Sequence, residues 1–300
     1  MTNYVCRTFN VAGHRFSISL PGTADTDTVL RPYIPFLDTD DECRLLFTLE
    51  SGSQDSWSGN CGTLAGCFNE EAPFIWIYRG CEPLVFGFSL TRDKPDFLLT
   101  ITPDFRRGRM LLPGNCTDSL LQFAVNNSSM LMYMLATAQL DTLLIHASVV
   151  EYKNGGYAFT GKSGSGKSTH SRLWLKNIEG CSLLNDDNPV IRVTGGKAVV
   201  YGSPWSGKTP CWENRNTCLR AVVHIFQAPE NRIERLKGIQ AYASFITSCS
   251  SMKWDRRVSD GINRTVEQLL STCGFYNLYC LPDREAALTC CSVVTSAEEH

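Results

Sequence analysis

The sequence predicts an α/β core built around a phosphate-binding loop, over residues 116–300, preceded by a β-rich domain over 1–115. Three observations carry this expectation. A glycine-rich run separates an apolar strand from a helix-forming segment at Tyr157–Ser168. A short apolar stretch ends in Asp186-Asp187 one helix, one turn and one strand later. The first third of the chain offers only short, strand-like segments bounded by turn residues.

Composition limits what the chain can be. Three hundred residues suffice for two domains with sizeable cores. A net charge of −2 and a pI near 6.2, with no basic run, disfavour nucleic acid and anionic membranes as partners. The opening MTNYVCRTFN has no secretory layout, and no apolar run reaches membrane-spanning length. The fourteen cysteines are scattered and form no Cys-x-x-Cys. They read as reduced thiols, which fits a cytoplasmic protein.

In chain order, Tyr4–Phe9 and His14–Leu20 alternate apolar and polar residues around a turn at Val11-Ala12-Gly13. Further strands are expected at Arg44–Glu50, Phe74–Tyr78, Leu84–Leu90, Phe97–Ile101 and Met110–Leu112. Seven strands without a helix between them predict an antiparallel sheet. His14 reads as a surface hairpin residue, and Arg106, Arg107 and Arg109 as a solvated basic face. Thr117–Leu140 carries apolar residues at helical spacing, as one helix or as two broken near Asn126-Asn127. The domain boundary is expected just before it.

A strand is expected over Thr142–Val150, with His146 at its middle. The loop follows. Gly161, Gly166, Lys167 and Ser168 fill G-x-x-x-x-G-K-[ST], with Ser163, Gly164, Ser165 and Thr169 completing its surface. Glycines let successive backbone N–H groups turn inward toward phosphate oxygens, and the helix behind adds its positive end. Lys167 is expected on the outer phosphates of ATP, and the Ser168 hydroxyl on Mg²⁺. A helix over Ser168–Ile178 should stop at Gly180. The strand ending at Asp186 and Asp187 then brings acids for the metal and for an incoming hydroxyl.

A second match, Gly202 to Thr209, also fits the loop pattern. Pro204 and Trp205 stiffen it, and no amphipathic helix follows. It is rejected as a second nucleotide site and kept as a loop bringing Ser206, Gly207 and Lys208 toward phosphate or substrate. His224, on the next strand, reads as a core residue. Beyond it, helices are expected near 238–252 and 260–273, a strand near 275–281, and a helix near 283–294 with Asp283 as N-cap.

The run HASVV…GGYAFTGKSGSGKST…LLNDD resembles the catalytic core shared by HPr serine kinase/phosphorylase and ATP-dependent phosphoenolpyruvate carboxykinase. The match spans roughly residues 140–190, and YGSPWSGK resembles the corresponding stretch of kinases related to HPr kinase. Thr169 stands where HPr kinase carries glutamate. The resemblance implies a P-loop kinase core of the HPr kinase/phosphoenolpyruvate carboxykinase type. It assigns His146, Lys167, Asp186 and Asp187 to catalysis and Ser168 with the two acids to Mg²⁺. The expected activity is transfer of the ATP γ-phosphoryl group to a serine or threonine hydroxyl of a protein or peptide. The β-rich domain would recognise the acceptor, and a homo-oligomer remains open. A small-molecule kinase, a carboxykinase-like enzyme and a non-catalytic nucleotide-binding module are the alternatives.

Overall fold

The computed structural model describes residues 3–40, 44–69, 72–207 and 209–296. The chain forms two compact units, Met1–Ala136 and Thr137–His300, each with its own sheet. It is a mixed α/β protein. No helix among the described residues is long and apolar enough to cross a membrane.

In the first unit, β1 (Tyr4–Val11) and β2 (His14–Pro21) form the expected hairpin. Its two turn residues, Ala12 and Gly13, both take positive φ, at 52° and 79°. That conformation matches the twist of the flanking strands. A single helical turn, α1 (Thr26–Val29), and a 3₁₀ segment (Arg31–Phe36) come next. Then follow β3 (Phe47–Ser53), β4 (Thr63–Phe68), β5 (Phe74–Arg79), β6 (Leu84–Ser89), β7 (Phe97–Ile101) and β8 (Arg107–Leu112). The strand order is β1-β2-β3-β8-β7-β6-β5-β4.

The sheet is not purely antiparallel, because β3 pairs parallel with both β2 and β8. The α1–3₁₀ crossover returns the chain to the start of the sheet, as a parallel neighbour requires. The strand at β4 was not visible in the sequence.

The helix α2 (Asp118–Thr137) is continuous through Asn126-Asn127 and belongs to this first unit, one helix later than the expected boundary. The asparagines do not break it because their side chains are occupied. Asn127 Nδ2 donates to Phe123 O at 2.8 Å, and Asn126 Oδ1 accepts from the Tyr33 hydroxyl at 3.0 Å. The Tyr133 hydroxyl donates to Val11 O, tying the helix to the hairpin. His14 is buried, not a surface residue, with its ring edge-on to Tyr133 at 5.9 Å. Arg106, Arg107 and Arg109 are exposed.

The second unit places β9 (Thr142–Leu144), β10 (Ala147–Tyr152), β11 (Gly155–Thr160), β12 (Ser182–Asp187), β13 (Val190–Thr194), β14 (Lys197–Tyr201) and β15 (Asn216–Gln227) in the order β12-β10-β11-β15-β14-β13-β9. Beyond β15 lies β17 (Gly274–Cys280), itself paired with β16 (Arg232–Leu236). The expected strand 142–150 is therefore two strands with different neighbours. Its break has a cause. Residues 248–250 hydrogen-bond across it, through His146 N to Ser248 O and Ser250 N to Leu144 O.

The same pairing ends α4 (Gly238–Ile246) earlier than the sequence suggested. Helix α5 (Arg256–Leu269) begins a turn earlier than expected, because Asp255 caps it by accepting from Arg257 N and Val258 N. Helix α6 (Arg284–Ser296) starts after Asp283, whose carboxylate accepts from Ala286 N at 2.8 Å.

The core of this unit forms where α3 (Lys167–Asn177) and α6 cover the sheet. Trp174 and Ile178 meet Tyr157, Phe159, Val223 and Ile225 there, beside Ala286 and Cys290. Trp174 is fully buried, with its ring 5.2 Å from Tyr157 and 5.4 Å from Phe159. Trp174→Ala should leave a large cavity and cost about 3–5 kcal/mol. Urea unfolding followed by far-UV circular dichroism measures that loss.

Candidate functional site

Register brings the candidate residues together. Strand β10 runs antiparallel to both β11 and β12, so these two outer strands point the same way. Ala147 at the start of β10 sits opposite Thr160 at the end of β11 and Asp187 at the end of β12. Strand β15 runs parallel to β11, and β17 parallel to β15. Four carboxyl ends and His146 therefore share one edge of the sheet, where α/β proteins keep their ligand crevices.

The loop after Thr160 curls because its glycines allow it. Gly161, Gly164 and Gly166 take φ of 143°, 74° and 105°, a region L side chains rarely enter. At Gly161 the space is closed as well, since a Cβ would lie 2.6 Å from Ser165 Oγ and 3.1 Å from Ile225 O. Ser163 and Gly164 are exposed, and Ser165 and Thr169 half-buried. Helix α3 starts at Lys167, with Gly166 at its N-cap, which offers no side chain to cap the first amides.

Lys167 is largely buried, and its Nζ donates to Gly161 O and Lys162 O, both at 3.1 Å. Burial pushes its ammonium below the usual range, while the carboxylates of Asp187 and Asp186 pull it back up.

The two acids face different partners. Ser168 Oγ donates to Asp186 Oδ1 at 2.8 Å, linking the helix start to the end of β12. His146 Nδ1 lies 3.0 Å from Asp187 Oδ1, with both side chains partly open to solvent. His146 is thus not in the middle of a strand but at the break between β9 and β10, where its ring can leave the sheet plane.

Asp187 takes φ of 131°, an outlier for a residue with a side chain. Such a conformation costs on the order of 1–3 kcal/mol and persists only where the surroundings enforce it. The second glycine loop does some of that. Ser206 bridges Asp187 in the backbone, and Gly207 N donates to Asp186 O at 2.8 Å. A Cβ on Gly207 would sit 3.1 Å from Asp187 Cβ. Lys208 lies outside the described residues.

Sequence reasoning overlooked several residues here. His170 is buried on α3 behind the loop, and its Nε2 accepts from Trp174 Nε1 at 3.1 Å. The neutral ring therefore carries its proton on Nδ1, which has no hydrogen-bond partner among the described residues. A histidine four residues before a tryptophan was the available signal, since helical spacing brings them together. His224 is half-buried rather than core, opposite Thr160 in register, with Nδ1 3.4 Å from the Thr160 hydroxyl. Burial and the nearby Lys167 push its pKa down. Gln227 Nε2 donates to Gly164 O at 3.0 Å, tethering the loop's tip.

A cleft of about 570 Å³ opens alongside Gly164–Gly166. Leu173, Ile225, Pro229 and Leu281 give it apolar walls, with Thr169 and His170 among its polar lining.

No protein-family model matches this chain, and no curated protein matches it. Among solved structures, the HPr(Ser) kinase/phosphatase from Coxiella burnetii is similar over 51% of this chain and 95% of that chain, at 10% sequence identity and a TM-score of 0.29. A likeness at that level carries no argument, and the site stands on its own geometry.

His170 makes folding pH-dependent. Burial lowers its pKa from 6.5 to about 4, so the unfolded chain binds the proton first as pH falls. Stability present above pH 6.5 should decline toward pH 4 by about 3 kcal/mol from this residue alone. His170→Gln, which keeps an acceptor for Trp174, should flatten that slope in denaturant titrations at stepped pH.

Proposed function

We propose that this chain is an ATP-dependent phosphotransferase that moves the γ-phosphoryl group onto a serine or threonine hydroxyl of a protein or peptide. The observation that carries this reading is the pairing of Ser168 with Asp186 and of His146 with Asp187 at one sheet edge beside Lys167. A binding module would need the lysine and the loop. It would not need a half-exposed carboxylate oriented by a histidine.

In this reading the loop 161–168 is a P-loop. Its amides and the start of α3 hold the β- and γ-phosphates, and Lys167 swings from its carbonyl contacts to the transferring group. The cleft beside the loop takes the base and ribose, since it is apolar, adjoins Gly164–Gly166 and suits a planar ring.

Ser168 and Asp186 offer hard oxygen donors 2.8 Å apart, which fit Mg²⁺. Among the described residues no group of three or more His, Cys, Asp or Glu could hold a metal unaided. That suits an ion that completes its shell with phosphate oxygens and water. When bound, Mg²⁺ would neutralise charge on the phosphates.

The chain's own residues divide the remaining work. Asp187 accepts the hydroxyl proton of the acceptor, and His146 orients its carboxylate through Oδ1. The acceptor oxygen bonds to the γ-phosphorus as the bond from that phosphorus to the bridging oxygen of ADP breaks. The second loop, through Ser206 and Gly207, lines the acceptor side of Asp187. The N-terminal unit supplies acceptor recognition.

The test uses isotope-labelled ATP, Mg²⁺ and cell extract, with mass spectrometry locating the transferred phosphate. Asp187→Asn should lower transfer by about 10²–10⁴-fold while ATP binding survives. Lys167→Met should weaken binding of ATP itself. Parental transfer by Asp187→Asn would remove the proton acceptor from this scheme. Neither product nor ADP with any acceptor would favour a nucleotide-binding module, and labelled small metabolites a small-molecule kinase.

A further inference from the structure

We propose that Asn188 is a positioning residue for Asp187, held in place by a buried polar ring centred on Ser203. The inference rests on the reading of Asp187 as proton acceptor.

Asp187 has a separate directional partner on each carboxylate oxygen. His146 Nδ1 lies 3.0 Å from Oδ1, and Asn188 Nδ2 donates to Oδ2 at 2.8 Å. One partner would leave the carboxylate free to turn about its terminal torsion, which is broad and soft. Two fix its plane.

Asn188 can serve only if its own backbone is held, and there the buried ring acts. Asn188 N donates to Asn185 Oδ1 at 3.1 Å. Asn185 Nδ2 donates to Ser203 Oγ at 3.2 Å. Ser203 Oγ donates to Asn188 O at 2.6 Å and accepts from Trp205 N at 3.2 Å. Asn185 and Ser203 are fully buried, so each of these bonds is costly to leave unmade.

The ring closes around the two acids, and it joins the end of β12 to the loop 202–207. It accounts for the strained φ of Asp187. A turn without those bonds would relax, and the carboxylate would swing away from His146. A plain scaffolding role would require the ring alone. The bond from Asn188 Nδ2 to Asp187 Oδ2 is additional to it.

Asn188→Asp keeps the shape and removes the donor, and Asn188→Ala removes the side chain while sparing the backbone bonds. In both, kcat should fall about tenfold or more, furthest in the aspartate variant, where like charges face each other. KM for ATP, nucleotide affinity and melting temperature should stay close to parental values. The His146 ring signals in nucleotide-free NMR spectra should also move, since the released carboxylate reorients against that ring.

Parental kcat in both variants would overturn the proposal. So would losses of affinity and cooperative melting in step with kcat, or unmoved His146 signals. If the parent transfers no phosphoryl group, the ring signals decide alone: movement upholds the positioning role while the proposed reaction falls.

Discussion

The hydrogen bond from Ser168 to Asp186 depends on one constraint, the antiparallel insertion of β10 between β11 and β12. Two strands pointing the same way on either side of a third must end at the same edge. The helix that follows one of them then starts beside the carboxyl end of the other. Ser171 reinforces this by donating to Ser148 at 2.7 Å, a buried link between α3 and β10. Inverting β12 alone would carry its acids to the opposite edge and separate serine from acid, whatever the loop between them did.

The same edge concentrates charge in an economical way. A lysine, two acids and a half-exposed histidine lie within one small region, where Lys167 and Asp186 are buried while Asp187 and His146 stay partly open to solvent. Its ammonium is compensated by backbone carbonyls at short range and by the acids at longer range. Behind the loop, His170 is kept neutral, which spares the helix start a second cation beside Lys167. Strain is likewise localised. The outlier among the candidate residues is Asp187, and it lies where a polar ring and a close glycine hold it.

What could be read in advance was whatever the chain encodes locally. The glycines of the loop, Gly180 after α3 and Asp283 before α6 each announce a backbone conformation or a cap within a few residues. The pairing of His146 with Asp187 was not local, and periodicity misled: 142–150 is apolar enough for one strand, and the break comes from residues 248–250 far along the chain. His14 was misjudged for a similar reason, because the ring of Tyr133 covers it from the helix at the end of the unit. For Asn185, Asn188 and Ser203, nothing in their spacing reveals that their hydrogen bonds close on one another.

The amino-acid sequence by itself determined the turn at 161–168, the acids that end β12 and the strand-rich start of the chain. Each follows from backbone freedom or side-chain alternation over a handful of neighbours. Tertiary structure alone decided that α2 packs with the first unit, that the first sheet is mixed, and that a histidine, a serine and two acids share one edge. Those outcomes depend on which strand lies beside which. Strand order is set by burial summed over whole faces, which no short stretch of sequence encodes.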